Sequence, residues 1–171
     1  MQIVCWRLKK VLDYDDDIND IHICVDRRSI HQFRKELLNE VFINGQPTNM
    51  PPQSIKLDFD CSEFPNNNPK HTDVGFEDLN RDYKSSINVY NALTIVVGHS
   101  ENIIATEVST KILQITTNST NLEQIASAIL TSEKMAYVYD NYIPINTQIE
   151  SSFHNARLII WAGNNGDILY H

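Results

Sequence analysis

The sequence predicts an α+β protein in which two principal helices pack on one face of a mainly antiparallel sheet. Several short segments alternate apolar and polar residues, which is the pattern of a strand with one buried face. Two longer segments repeat their apolar residues at helical spacing. The order of these elements, with strands before and after each helix, is typical of the α+β class. The chain has 171 residues and no internal repeat or interior linker, so we expect one domain, residues 1–171.

The N-terminal strands are predicted from their apolar content and alternation. Residues 2–12 are rich in apolar side chains and form the first predicted strand. Residues 20–26, "DIHICVD", place three aliphatic residues on one face and His22, Cys24 and Asp26 on the other, which predicts a half-buried strand. Residues 54–64, "SIKLDFDCSEF", alternate in the same way, with Ile55, Leu57 and Phe59 on one face.

The first helix is predicted to begin at Ser29, because Gln32 three residues later completes a capping box. Asn44 and Gly45 should end it, since glycine accepts the left-handed conformation of a helix C-cap. The apolar stripe expected to face the core is Ile30, Phe33, Leu37 and Val41, widened by Leu38 and Phe42.

The second helix is predicted over residues 121–134, with Asn121 as its N-cap and Gln124 at the third helical position. Its core-facing residues should be Leu122, Ile125 and Ile129.

In chain order, the other predicted elements are a surface loop (65–75), a short helix (76–86), a central strand (91–98), one or two strands with a helical alternative (102–117), a strand (135–139), a short helix (147–155) and a terminal hairpin around Asn164 and Asn165.

The composition restricts the classes of partner. Lys and Arg number 14 against 22 Asp and Glu, a formal net charge of −8. Proteins that bind nucleic acids normally present a basic face, so we expect a basic protein as the partner rather than a nucleic acid. No apolar run approaches the ~18 residues of a membrane span, and no signal-peptide pattern occurs. Three cysteines without a CxxC spacing agree with a reducing compartment, so we predict a cytoplasmic protein without a membrane partner.

Two clusters of carboxylates are candidate docking surfaces for that basic protein. Crowded carboxylates repel one another, and a partner's Lys or Arg would relieve this repulsion. The first cluster is Asp13, Asp15, Asp16, Asp17 and Asp20. The second cluster is Glu63, Asp73, Glu77, Asp78 and Asp82.

Other interpretations of these polar groups are a solvated turn or a metal site. The aspartate spacing from Asp13 resembles the start of an EF-hand loop, but Ile18 and Cys24 occupy the positions that require Gly and Glu. We therefore reject an EF-hand, and a looser calcium or magnesium site remains as a minor alternative. Zinc on His22, Cys24 and Asp26 is disfavoured, because same-face neighbours on a strand lie about 7 Å apart. We expect neither a metal nor a cofactor.

Candidate catalytic groups are few and lack a motif. Cys61, His71 and Asp73 could form a nucleophilic site, and His99 with Glu101 follows the end of a predicted strand. The glycine-rich, GxSxG and HExxH signatures are absent from the sequence. The tyrosines Tyr137, Tyr139 and Tyr142, with Trp161 and Tyr170, fit either a core or an interface.

In size and charge the whole chain resembles the immunity proteins of bacterial toxin–immunity pairs, although no motif carries the resemblance. What this implies is a non-enzymatic protein that neutralises a cognate toxin by direct binding. The toxin could be a nuclease, whose basic groove an acidic surface would imitate. The alternatives are a small hydrolase or transferase that uses the Cys/His/Asp groups, and a structural or assembly subunit that buries its tyrosines between copies.

Overall fold

A computed structural model describes residues 1–11, 18–39, 41–43, 46–47, 54–62, 84–132, 142–149 and 156–163. Within these residues eleven strands and two α-helices are defined. In chain order they are β1 (Ile3–Val11), β2 (Ile18–Asp26), α1 (Ile30–Asn39), β3 (Phe42–Ile43), β4 (Gln46–Pro47), β5 (Ile55–Asp60), β6 (Lys84–Tyr90), β7 (Ala92–Val97), β8 (Ile104–Ser109), β9 (Ile112–Thr117), α2 (Ser119–Ser132), β10 (Tyr142–Thr147) and β11 (Ala156–Gly163).

Nine strands form one sheet in the order β5-β7-β9-β8-β10-β11-β2-β1-β6, and β3 pairs with β4 in a separate two-stranded ribbon. The α+β class is therefore confirmed. The sheet, however, is mixed, because β7 with β9, β8 with β10, and β2 with β11 are parallel pairs. Alternation along a strand is the same whichever way its neighbour runs, so the sequence pattern cannot reveal the parallel pairs.

The sheet curls so that strands far apart in its order come into contact. Ser62, just after the edge strand β5, donates its backbone N–H to the Ile3 carbonyl of β1 at 2.7 Å. The chain passes directly from β6 at one edge to β7 near the other through Asn91, whose N–H donates to the Lys111 carbonyl at 2.8 Å. The bond of Ser62 and the direct passage from β6 to β7 bring the two halves of the sheet together around a shared core.

The helices pack against this core through the predicted apolar stripes. Helix α1 contacts α2 and β2, while α2 also contacts β11. Phe33 of α1 meets Phe59 of β5 edge-on, with ring centroids 4.9 Å apart. The predicted stripe residues that are buried are Ile30, Phe33, Leu37, Val41, Leu122, Ile125 and Ile129, with Leu38 and Phe42 partly buried against the same core.

Both predicted helix caps are wrong. A 3₁₀ turn, Arg27–Ser29, precedes α1, and Asp26 caps it by accepting the Arg28 N–H at 2.9 Å. The Ser29 hydroxyl instead accepts the N–H of Gln2, because β1 runs alongside the start of the helix.

For α2 the cap is Asn118, whose side-chain oxygen accepts the Asn121 N–H at 2.8 Å. Asn118 and Asn121 are both suitable N-cap residues by type. Because β9 ends at Thr117, the helix begins directly after it and Asn118 takes the cap position.

The other element predictions have mixed outcomes. Helix α1 ends at Asn39, earlier than predicted, because β3 and β4 pair on either side of residues 44–45. Residues 102–117 form two strands, so the helical alternative is wrong. The predicted short helix at 76–86 is wrong for its last three residues, which belong to β6. The predicted short helix at 147–155 is wrong for its first three residues, since Thr147 ends β10 and residues 148–149 are not helical. Its residues 150–155 and the predictions for 65–75, 135–139 and 164–171 lie outside the described residues, and the single-domain prediction stays a prediction.

Strand β2 is buried on both faces rather than half-buried. Its core face carries Ile21, Ile23 and Val25, each at most 1% exposed. The opposite face, called here the second face of the sheet, carries Asp20, His22, Cys24 and Asp26, which are also at most 3% exposed. The cause is tertiary, because β1 and β11 flank β2 and supply apolar neighbours on the second face, namely Val4, Trp6 and Ile159.

Candidate functional site

Most of the first acidic cluster falls in the connection between β1 and β2. Asp13, Asp15, Asp16 and Asp17 lie outside the described residues, and the strands on either side of them are paired antiparallel. The register is fixed up to the pair of Lys10 with Ile18. Opposite residues of such a pair are only about 5 Å apart, so the aspartate run is closed into a short connection.

The second acidic cluster lies wholly outside the described residues. Its five acids belong to the chain between Ser62 and Lys84, the residues at which the described structure stops and resumes. Whether this cluster docks a partner therefore stays a prediction.

Asp20 is different from the other predicted docking residues, because it is 1% exposed. Its carboxylate accepts two hydrogen bonds from Arg157 of β11, from Nε at 2.8 Å and from Nη2 at 2.6 Å. Such a bidentate pair is a strong, charge-assisted interaction. Asp20 therefore holds β2 to β11 and is not a solvent-facing charge, which corrects its assignment to a docking surface.

Arg157 connects this ion pair to a surface groove. Its guanidinium carbon lies 5.6 Å from the ring centroid of Tyr142, a cation–π distance, and the Tyr142 residue is 50% exposed. A groove of about 460 Å³ opens beside the pair. It is lined by Asn102, Ile103, Tyr142, Pro144, Ile145, Asn146, Ala156 and Arg157.

The groove exists because β8 and β10 separate after a short stretch of pairing. Asn146 donates its N–H to the Ile103 carbonyl at 2.9 Å, and Gln148 donates to the Ala105 carbonyl at 3.0 Å. The next alternate position upstream on β10 is Pro144, which has no N–H to donate. Pairing therefore stops there, and the residues on either side line an opening.

The second face of the sheet also holds an aromatic stack. The rings of Trp6 and His22, directly opposite each other on β1 and β2, are parallel within 5° with centroids 4.7 Å apart. Burial, assisted by the nearby positive charge of Arg157, lowers the pKa of His22 to about 3. His22 is therefore neutral at physiological pH and acts as an aromatic packing residue.

A second polar network crosses the curled sheet on its core side. The Tyr90 hydroxyl donates to Oε1 of Glu107 at 2.6 Å, and the Asn88 amide donates to the same oxygen at 2.9 Å. Arg7 forms an ion pair with that carboxylate at 3.5 Å. Burial, followed by the hydrogen bond and the charge of Glu107, raises the pKa of Tyr90 well above its usual value. The network joins β1 and β6 to β8 and is structural, since the Glu107 carboxylate accepts from Tyr90 and Asn88 and pairs with the charge of Arg7.

The alternative catalytic residues are not brought together where the structure describes them. His99 and Glu101 are both exposed in the turn between β7 and β8, and neither lines the groove. Cys61 is partly buried against the core, while His71 and Asp73 lie outside the described residues. The enzymatic alternative therefore stays untested.

The described ranges hold neither a cluster suited to a metal ion nor a helix suited to a membrane. No group of three or more His, Cys, Asp or Glu side chains there could hold a metal ion. None of the helices in that part of the chain combines the length and the apolar character needed to cross a bilayer.

The chain matches no protein-family model, no curated protein and no solved structure.

Sequence patterns did not single out Arg157, because a lone arginine in "RLIIWAG" has no local partner. Its partner Asp20 is 137 positions away in the chain. Pro144 carried a usable signal, because proline within a strand predicts an edge or the end of a ladder.

Proposed function

We propose that this protein binds and neutralises a basic protein, as an immunity protein neutralises its toxin, and that the connection between β1 and β2 is the docking element. The observation that carries the proposal is the β1–β2 register. It closes four aspartates into a short connection at the end of two strands within the sheet. Carboxylates this close in sequence repel one another, so a basic partner gains free energy by neutralising them.

The balance of charge across the chain supports the same proposal. Four ion pairs among the described residues join Arg7 to Glu107, Arg28 to Asp26, Lys56 to Asp58 and Arg157 to Asp20. Each pair is neutral, so the net charge of −8 is carried by other side chains. A surplus of this kind speeds association with a cationic surface.

Three lysines reduce the local surplus at the proposed docking element. Lys9, Lys10 and Lys84 occupy register positions at the same end of β1 and β6. The steering of a basic partner therefore depends on the aspartates that outnumber them. Removing one of these lysine charges should strengthen binding, which is opposite to the effect of removing an aspartate.

The test begins with the tagged chain, purified from its own cells at low and at high salt, and a co-purifying basic protein identified by mass spectrometry. The affinity of that purified partner is then measured for variants. A quadruple variant tests the docking element and carries Asp13→Asn, Asp15→Asn, Asp16→Asn and Asp17→Asn. At about 0.5 kcal/mol per lost charge, it should bind the partner on the order of 30-fold more weakly. Lys10→Gln should tighten binding, and both effects should shrink as salt rises.

A matched control removes the same amount of charge elsewhere on the exposed surface. Its four changes are Glu36→Gln, Asp60→Asn, Glu101→Gln and Glu123→Gln, all at exposed positions. The control should keep most of the affinity. If the control and the aspartate variant lose affinity equally, the docking element is wrong and only the net charge matters. If no stoichiometric partner is captured at either salt, the inhibitor proposal itself fails.

A further inference from the structure

Two of the three cysteines meet at the point where the two ends of the sheet come together. Cys5 lies on β1 and is fully buried in the core. Cys61 directly follows β5 and is partly buried against the same core. All three cysteines fall in the described part of the chain, and none is in a disulfide.

The backbone holds this pair on both sides. Cys5 is the register partner of Tyr90 in the pairing of β1 with β6. Cys61 donates its N–H to the carbonyl of Asn91, the next residue after Tyr90, at 2.8 Å. The next residue after Cys61, Ser62, donates its N–H to the Ile3 carbonyl of β1 at 2.7 Å. Both cysteines are therefore anchored beside the start of β1 and the junction of β6 with β7.

The two side chains lie in the same part of the core, because Cys61 packs against the cluster to which Cys5 belongs. Burial raises the pKa of the Cys5 thiol well above its usual value, and a hydrogen bond with the Cys61 side chain raises it further. Cys5 is thus a thiol shielded from solvent, with the more accessible Cys61 beside it.

Cys24 is excluded from this arrangement by the pleat of the sheet. It is the register partner of Val4, the residue before Cys5, and belongs to the apolar cluster on the second face. Successive side chains of a strand point to opposite faces, so the sheet itself lies between Cys24 and the Cys5–Cys61 pair.

We propose that Cys5 and Cys61 form a reversible intramolecular disulfide when the protein meets a low-molecular-weight disulfide such as oxidised glutathione. The proposal rests on the shared core cluster of the two cysteines and on the backbone bonds that hold them side by side, and it is independent of the proposed partner. Bond formation brings the two sulfur atoms to about 2.0 Å.

The chemistry proceeds by two thiol–disulfide exchanges. The Cys61 thiolate attacks the oxidant, which breaks its sulfur–sulfur bond, forms a mixed disulfide on Cys61 and releases one reduced thiol. The Cys5 sulfur, after giving up its proton, then attacks the Cys61 sulfur and expels the second reduced thiol. Overall the two protein thiols are oxidised to one disulfide, and the oxidant is reduced to two thiols. The oxidant needs access to Cys61 alone, so the burial of Cys5 does not prevent the reaction.

The bond would join β1 covalently to the end of β5, strands that are distant in the order of the sheet. It closes a long loop of chain, and loop closure of this kind restricts the unfolded state. It also fixes the start of the segment that carries the second acidic cluster, which begins at Glu63.

The test oxidises the folded chain in a series of glutathione buffers and follows thiols, mass and thermal unfolding. The wild type should lose two of its three thiols and the mass of two hydrogens. Proteolysis should yield one cross-linked fragment that contains Cys5 and Cys61. Reduction should restore the thiols. The oxidised form should melt on the order of 5–15 °C higher than the reduced form.

Two variants separate the possible outcomes. Cys24→Ser should leave the cross-link and the shift in melting temperature unchanged. Cys61→Ser should abolish both while leaving the circular dichroism spectrum of the reduced protein unaltered, and Cys61→Ala serves if the serine variant does not fold. A wild type that stops at glutathione bound to Cys61, or a cross-link that survives in Cys61→Ser, would overturn the proposal.

Discussion

The pair of Asp20 and Arg157 gives the sharpest prediction about stability, because its two members differ in burial. The side chain of Asp20 is 2% exposed, whereas that of Arg157 is 34% exposed. Arg157→Met leaves a buried carboxylate without its cation and should cost about 3–5 kcal/mol of unfolding free energy. Asp20→Asn leaves an arginine that can turn toward water, so its cost should be smaller, about 1–3 kcal/mol once solvent screening is allowed for.

The double variant decides whether these costs come from a broken pair. With both charges removed, no uncompensated charge remains, so the double variant should be no less stable than Arg157→Met alone. Urea unfolding at neutral pH of the wild type, the two single variants and the double variant completes this double-mutant cycle. A coupling energy of about 2 kcal/mol or more is expected. Simple additivity of the two costs, or a larger loss for Asp20→Asn than for Arg157→Met, would refute the assignment of Asp20 as a buried, paired charge.

Three further predictions follow from burial and capping. Folding lowers the pKa of His22 from its ordinary 6.5 to about 3, so the unfolded chain takes up a proton more readily than the folded one. This group therefore leaves stability unchanged above about pH 6.5, and the free energy of unfolding falls by up to about 1.4 kcal/mol per pH unit as the pH drops from there towards 3. His22→Phe should flatten this decline in acid unfolding. Asn118→Ala should cost about 1 kcal/mol in urea unfolding, and Asn121→Ala clearly less. Phe33→Ala should cost about 3–5 kcal/mol, against little for the exposed His31→Ala on the same helix.

Each of these has an outcome that contradicts it. An acid transition that is the same in wild type and in His22→Phe would mean that other groups control it, and His99→Gln, at an exposed site, provides the matched control. Equal losses at Asn118 and Asn121 would show that capping is not local to the first turn. A cost near zero at Phe33 would contradict its burial against Phe59.

The local sequence determined which residues form most of the described elements and which sides of them are apolar. Alternation identified β2 and β5, and helical spacing identified the buried stripes of α1 and α2. Alternation and spacing are properties of a few consecutive residues, so they can be recognised without knowledge of the neighbours.

Tertiary structure decided what surrounds each element. The parallel pairing of β2 with β11 buried a strand face that its polar residues made look solvated, and it supplied Arg157 to Asp20. The curling of the sheet, which brings the end of β5 next to β1, placed Cys61 beside Cys5. No local pattern encodes these contacts, because the free energy of a buried ion pair or thiol contact depends on a partner that only the completed fold brings near. The sequence thus defined the faces of the strands, and the fold determined which of their polar groups are buried and paired.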